Sequence, residues 1–443
     1  MAAKMPKPSG LAPTMATIDS SHHEIAVTVI RRQTALDGQP PVFVHGVLYR
    51  VDSAGLWRPF DQLEKFIGEN VNGQKLCRTR GHYRAIADHV RDLQRDDEFF
   101  EHAATGVCTP TGFIQLDVKA AGISKAALTP AHHQQYMLPA SPDKQAKMPL
   151  FQGLLDNALD PEQIALLQQM FGGALFGIVA LWHLVFLFLG PGRTGKSTVL
   201  RILEAIFDPA SVSALSPYRW DSEYYTVQLA GRLLNIVGEV DPDRPLPAAD
   251  FKNIVGRDLV AGRHPTHRPV FFRNTATHVF AGNSLPVTRD RTDAFFARWI
   301  CLDFRNPIPR EKRIPDLAER IIADELPAVL YWACQGAVKL ARAGRFMETN
   351  AHRGLMARWR REANPVEQFL HDDEWVNLDD SLSLGLCPLK SEFYPAFKNW
   401  CAETGHKAPG RNKALALLEG AGVEFQRPHA SAPIHIKGVR FIK

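Results

Sequence analysis

Eight residues, Gly190-Pro-Gly-Arg-Thr-Gly-Lys-Ser197, match G-x-x-x-x-G-K-[ST] in full and leave few folds open. Such a loop works only between a buried strand and the start of a helix. Its glycines let the backbone curl into a nest of N–H donors, and the helix N-terminus adds its dipole to the same anion site. Both neighbours are present. Leu184–Leu189 is an unbroken apolar run, and Thr198–Phe207 places Val199, Leu200, Ile202, Leu203 and Ile206 on one side of a helix. In this arrangement Lys196 offers a point charge to the β- and γ-phosphates of a nucleoside triphosphate, and Ser197 a hydroxyl to Mg²⁺. Gly190, Pro191, Gly192, Arg193, Thr194, Gly195, Lys196, Ser197 and Thr198 are the expected nucleotide-binding segment.

A phosphate loop needs an acid at the end of a neighbouring strand. Arg232-Leu-Leu-Asn-Ile-Val-Gly-Glu239 supplies one, with Asp241 two residues on. Glu239 suits polarising a water or holding Mg²⁺, and Asp241 is a second candidate for the metal, beside Ser197. A further strand, Thr277–Gly282, ends at Asn283, whose amide suits the γ-phosphate or the attacking water. Before Ser284-Leu-Pro286 the same residue also suits an ordinary Asx turn. Arg298 precedes the apolar run Trp299–Leu302, as either an arginine finger for a neighbouring subunit or a surface ion-pair partner. Between these elements lie Arg263, His264, His267, Arg268 and Arg273, interleaved with Phe271-Phe272. Cations among aromatics suit a single-stranded nucleic-acid backbone. They equally suit a solvated hairpin with buried rings, and composition leaves the two open.

The rest of the chain sets the frame. Its 443 residues allow two to four domains. A net charge of +5 is too small on this length to prove an acidic partner. Six scattered cysteines without a C-x-x-C pair argue against a zinc ribbon or disulfide framework and fit a reducing cytosol. Phe171–Gly190 lacks charge and approaches the length of a membrane span, but Gly172-Gly173 and His183 divide it into a buried helix and a buried strand. No membrane is expected, and no secretory signal. Boundaries fall at 1–23 (a disordered arm), 24–147 (mixed strands and helices, closed by the polar connector 139–147), 148–310 (the phosphate-binding core), 311–362 (helical) and 363–443. The last stretch orders two helices, Ser391–Thr404 and Arg411–Gly420, before a strand pair joined at Gly438, as in a winged helix.

The order of motifs resembles superfamily 3 helicases of the phage/plasmid primase type, in their C-terminal helicase portion. The likeness runs from about Thr109 to Phe346. It rests on Leu167-Gln-Gln-Met-Phe-Gly-Gly173, the phosphate loop, Ala230–Glu239, Lys252-Asn-Ile-Val-Gly-Arg-Asp258, Asn283-Ser-Leu-Pro286 and Glu325–Gly336. The resemblance implies an α/β fold: an AAA+ type P-loop core, an N-terminal α+β helicase-associated domain, a helical lid and a C-terminal winged helix. It implies a ring, usually hexameric, that hydrolyses ATP with Mg²⁺ between subunits and draws single-stranded DNA through its pore at a fork. A separate primase or initiator would be a further partner, in bacterial or phage-host cytosol. By that likeness Lys196, Glu239, Asn283 and Arg298 are the catalytic set, Arg263, His267, Arg268 and Arg273 line the pore, and Lys407, Arg411, Lys413 and Arg427 form the basic face of the winged helix. Two departures stand out. Gly238 takes the place of the first of two adjacent acids common in relatives, and no catalytic D-x-D pair on a strand announces primer synthesis. Two other functions use the same motifs: an origin-binding protein with nucleotide as a structural switch, and an AAA+ ATPase that remodels protein.

Overall fold

The computed structural model describes residues 20–71, 75–263 and 269–443. A five-stranded sheet, parallel throughout, forms its centre. Across the sheet the strands run Trp299–Asp303, Val185–Leu189, Thr277–Gly282, Leu234–Val237 and Val212–Ser213. Three of them are buried at every residue, as expected of strands covered on both faces. Alternate side chains feed two cores. Phe186, Phe188, Val279, Ala281, Ile300 and Leu302 pack under the helices Pro161–Leu175, Lys196–Ala205 and Leu326–Ala343. Val185, Leu187, Phe280, Trp299 and Cys301 meet Phe251, Phe295 and Trp359 on the other face.

Two glycines let the helices Pro161–Leu175 and Leu326–Ala343 cross with their backbones touching. A Cβ on Gly336 would lie 1.9 Å from the Gln168 carbonyl oxygen, and one on Gly172 would lie 2.1 Å from the Ala337 nitrogen. Gln168 closes the crossing, donating to the Trp332 carbonyl (3.0 Å) and accepting from Lys339 (2.7 Å). The uncharged run from Phe171 divides into helix, a short turn Val179–Trp182 and strand, with the break after Leu175 and Gly172-Gly173 inside the helix. Among the described residues no helix is long and apolar enough to cross a membrane.

Two expectations need correction. His22 and His23 open the helix His22–Asp37, because Ser21 and Glu24 make a capping box ahead of the placed arm boundary. The stretch after Asp316 is helical as expected, in two helices, Leu317–Asp324 and Leu326–Ala343. Glu325 stands at the break, and its buried carboxylate accepts from the amides of Leu150 (2.8 Å) and Phe151 (2.9 Å), capping the helix Pro149–Ala158. The last two strands do not pair with each other. His435–Ile436 joins Phe425–Gln426, and Val439–Phe441 joins Val376–Leu378. Gly438, at φ +71°, accepts from the Asp379 amide at 3.0 Å. The turn is thus held by an upstream segment, and strands of two and three residues take their partners from the core around Phe369, Phe393 and Trp400.

The N-terminal unit carries two three-stranded antiparallel sheets and the helices His22–Asp37 and Arg80–Leu93. It meets the loops beside the short edge strand Val212–Ser213. Tyr136 donates to the Gly231 carbonyl (3.0 Å), and Arg58 reaches Asp208 (3.4 Å).

His278, on the inserted strand, is 1% exposed and shares a 3.2 Å contact with the Asn235 amide. Burial pushes its pKa from 6.5 down to about 3. The unfolded chain takes up a proton that the fold excludes, so this contribution to stability is complete above pH 6.5 and lost as pH falls toward 3. Its slope is at most about 1.4 kcal/mol per pH unit. His278→Gln is expected to flatten the decline of the urea midpoint between pH 6.5 and 4; an unchanged decline would refute the assignment.

Candidate nucleotide site

The glycine loop leaves the C-terminal end of Val185–Leu189 and passes into Lys196–Ala205, as its flanking patterns require. Gly190 sits at φ +148°, and a Cβ there would lie 2.1 Å from the Phe304 carbonyl oxygen. Gly195, at φ +92°, lies where a Cβ would meet Leu154 at 2.9 Å. Thr194 donates to the Pro191 carbonyl (3.0 Å), tightening the turn. Lys196 is 8% exposed and folds its ammonium onto the carbonyls of Gly190 and Pro191 (2.7 Å to Pro191). Burial holds its pKa below the usual lysine value, while the charge of Glu239 pulls the other way.

The sheet order brings the acid and the amide to this loop. Thr277–Gly282 is inserted between the strand that carries the loop and the strand that leads to Glu239. Asn283 therefore emerges between them. Its Oδ1 faces Lys196 Nζ at 3.4 Å, and its Nδ2 faces Glu239 Oε1 at 3.4 Å. With residues 192–198, Gly238 and Gly282 these side chains line a cleft of about 260 Å³. A larger depression of about 410 Å³, beside Trp57 and Phe99 in the N-terminal unit, is remote from all of them.

Ser197 and Glu239 both line the cleft and bring hard oxygen donors. Among the described residues no three His, Cys, Asp or Glu side chains converge enough to hold a metal. A cation here would draw the rest of its shell from water and phosphate, as Mg²⁺ does. Asp241 turns away. Its carboxylate accepts from the amides of Asp243 (3.0 Å) and Arg244 (3.3 Å), and it is not part of the cleft lining.

Arg298 stands at the opposite end of the sheet. It precedes the first residue of Trp299–Asp303, whose last residue is in register with Leu189. Five residues of strand, roughly 16 Å, separate it from its own glycine loop. It donates to the Ala294 carbonyl, and its buried Nε has no partner among the described residues.

The basic hairpin is present as Leu259–Gly262 paired with Val270–Arg273. Arg263 is tied to Glu223 (3.4 Å), and Arg273 donates to the Arg257 carbonyl (2.8 Å). Phe272 is buried and Phe271 is 55% exposed. His264, His267 and Arg268 lie outside the described residues. Lys407, Arg411, Lys413 and Arg427 are exposed, on and around the helix Arg411–Gly420. Two contributors escaped the sequence reading: Phe304, against Gly190, and Glu325, which caps the helix carrying Leu154. Pro327, favoured in a first helical turn, was the available signal for the break at Glu325.

The molecule is thus a mixed α/β protein with a glycine loop, an amide and an acid at the C-terminal edge of a parallel sheet. Residues 188–298 match a family of unknown function (DUF5906). No curated protein sequence matches the chain. Among solved structures, the A form apo structure of the NrS-1 C-terminal region superposes with a TM-score of 0.52, over 93% of this chain and 100% of that one, at 11% identity. A second apo structure of that region covers 68% of this chain and 77% of that one, with a TM-score of 0.45 and 14% identity. At 11% identity the first of these is a likeness of fold.

Gly190→Ala is expected to lower stability by about 1–3 kcal/mol through overpacking on Phe304. Gly192→Ala, which meets nothing within 4 Å, should stay within about 0.5 kcal/mol of the parent. Thermal unfolding of the pair decides; equal midpoints would contradict the close approach at Gly190.

Proposed function

We propose that the chain is an ATP-driven, ring-forming DNA helicase of superfamily 3 type, serving replication of a phage or mobile element. The observation that carries this is the run Lys196–Asn283–Glu239 across adjacent parallel strands beside the glycine loop. The loop is a P-loop in this reading. Its amides and the helix N-terminus receive the phosphates, and Lys196 exchanges carbonyl contacts for phosphate oxygens. Ser197, with Glu239 through water, would hold Mg²⁺, which neutralises charge on the transferring phosphoryl group. Glu239 orients the attacking water. Asn283, in reach of both Lys196 and Glu239, reads the terminal phosphate and ties it to the water site. Catalysis is then positioning and charge neutralisation.

Arg298 cannot serve its own cleft across the length of a strand, so it would serve the next subunit's. That requires a head-to-tail interface that closes into a ring. The basic hairpin and the C-terminal helices, read as a winged helix, would contact single-stranded and forked DNA. Cytosol is the expected setting, with a separate primase or initiator.

One observation favours a second reading. The hairpin strand Val270–Arg273 exposes Phe271, an aromatic of the kind protein-remodelling ATPases use. Steady-state ATPase with single-stranded DNA or an unfolded protein separates the two: stimulation by DNA supports the helicase, and stimulation by protein alone the remodeller. Lys196→Ala and Glu239→Gln should each reduce turnover by about 100-fold or more, whereas Asp241→Asn should stay within about twofold. Arg298→Ala should lose turnover alone and regain part of it when mixed with Glu239→Gln, because mixed rings rebuild complete sites. Wild-type turnover in Arg298→Ala would remove the shared site.

A further inference from the structure

Arg193 stands where the backbone disfavours an arginine. Its φ is +66°, in the left-handed region where a Cβ crowds the following carbonyl and glycine or asparagine is preferred. Gly192 beside it has open space around its missing Cβ. Arg193's contribution to the loop is its carbonyl, which accepts from the Ile308 amide at 2.9 Å, a bond any residue would make. Its side chain therefore gives the loop no polar contact among the described residues. It is exposed, it lines the cleft with Lys196, Glu239 and Asn283, and its guanidinium has no hydrogen-bond, ion-pair or ring partner among the described residues. The arginines nearest in the argument differ: Arg263, Arg273 and Arg298 all have partners.

Charge points the same way. The cleft's own ions, Lys196 and Glu239, cancel, and Lys196 is already shared among Gly190, Pro191 and Asn283. A polyphosphate would meet no net positive side chain without Arg193. A guanidinium presents a planar fork that matches two phosphate oxygens, which an ammonium cannot do. Local strain retained at a cleft, with no structural return, is the pattern of a functional residue.

Resting on the nucleotide reading above, we propose that Arg193 clamps the terminal phosphate of a bound nucleoside triphosphate from within its own subunit, and so distinguishes triphosphate from diphosphate. It is a specificity residue that complements the arginine offered by the neighbouring subunit.

The test is equilibrium binding of ATP and ADP with Mg²⁺ to the full chain, in the wild type, Arg193→Gly, Arg193→Asn and Arg193→Lys. Both Gly and Asn suit the left-handed backbone, so these variants should melt at or above the wild-type temperature. ATP affinity should fall by roughly tenfold or more in both, and ADP affinity by less than about threefold. Arg193→Lys should recover only part of the loss. ATP affinity within about twofold of wild type in the Gly and Asn variants overturns the proposal, as does equal loss of ATP and ADP, which would signal a change of loop shape. Wild-type protein that binds neither nucleotide overturns this proposal and the nucleotide reading together. Wild-type binding of nucleotide, with variants that keep the wild-type preference for ATP over ADP, overturns this proposal alone.

Discussion

Hydrogen bonding of Thr277–Gly282 to Val185–Leu189 on one side and Leu234–Val237 on the other determines where every group of the cleft can stand. A one-residue slip would shift Asn283 by about 3.3 Å and turn the strand's side chains to opposite faces. Both faces of this strand are buried, so the slip would drive Val279 and Phe280 into the wrong cores. The two 3.4 Å contacts of Asn283 are therefore a product of hydrophobic registration several residues away. The chemistry inherits its geometry from packing.

A second line of support reaches the loop from behind. Leu154 abuts Gly195, and the helix that carries Leu154 starts under the cap supplied by Glu325. Glu325 in turn opens the helix that crosses Pro161–Leu175 in backbone contact. Loop, capped helix and crossing pair form one continuous stack of close contacts. Leu154 and Glu325 are no part of the cleft lining, yet each limits how far the loop can relax.

What could be read from the residues was what is local. The glycine loop, its strand and its helix occupy one contiguous stretch, and the flanking apolar runs have the lengths and periods of their structures. Glu239 and Asn283 were legible because each ends an apolar run. Choosing Glu239 over Asp241 needed the turn at Asp243 and Arg244, which captures the Asp241 carboxylate and has no pattern of its own. The C-terminal strands failed for a related reason. Two- and three-residue strands carry too few side chains to specify a partner, so Gly438 suggested a hairpin that long-range packing replaced. Glu325 was unreadable as a cap because its acceptors' donors lie 174 and 175 residues away.

The seam at Tyr136 and Arg58 bears on how the molecule can be divided. Val212–Ser213 is the outermost strand of the sheet, paired on one side only among the described residues. The N-terminal unit is moored to the loops before and after it, at Asp208 and Gly231. Cutting between the two units at the polar connector would remove that mooring, taking Arg58 from Asp208 and Tyr136 from the Gly231 carbonyl. A fragment beginning there would lose both anchors of the loops around its edge strand, so the two halves are better handled as one piece.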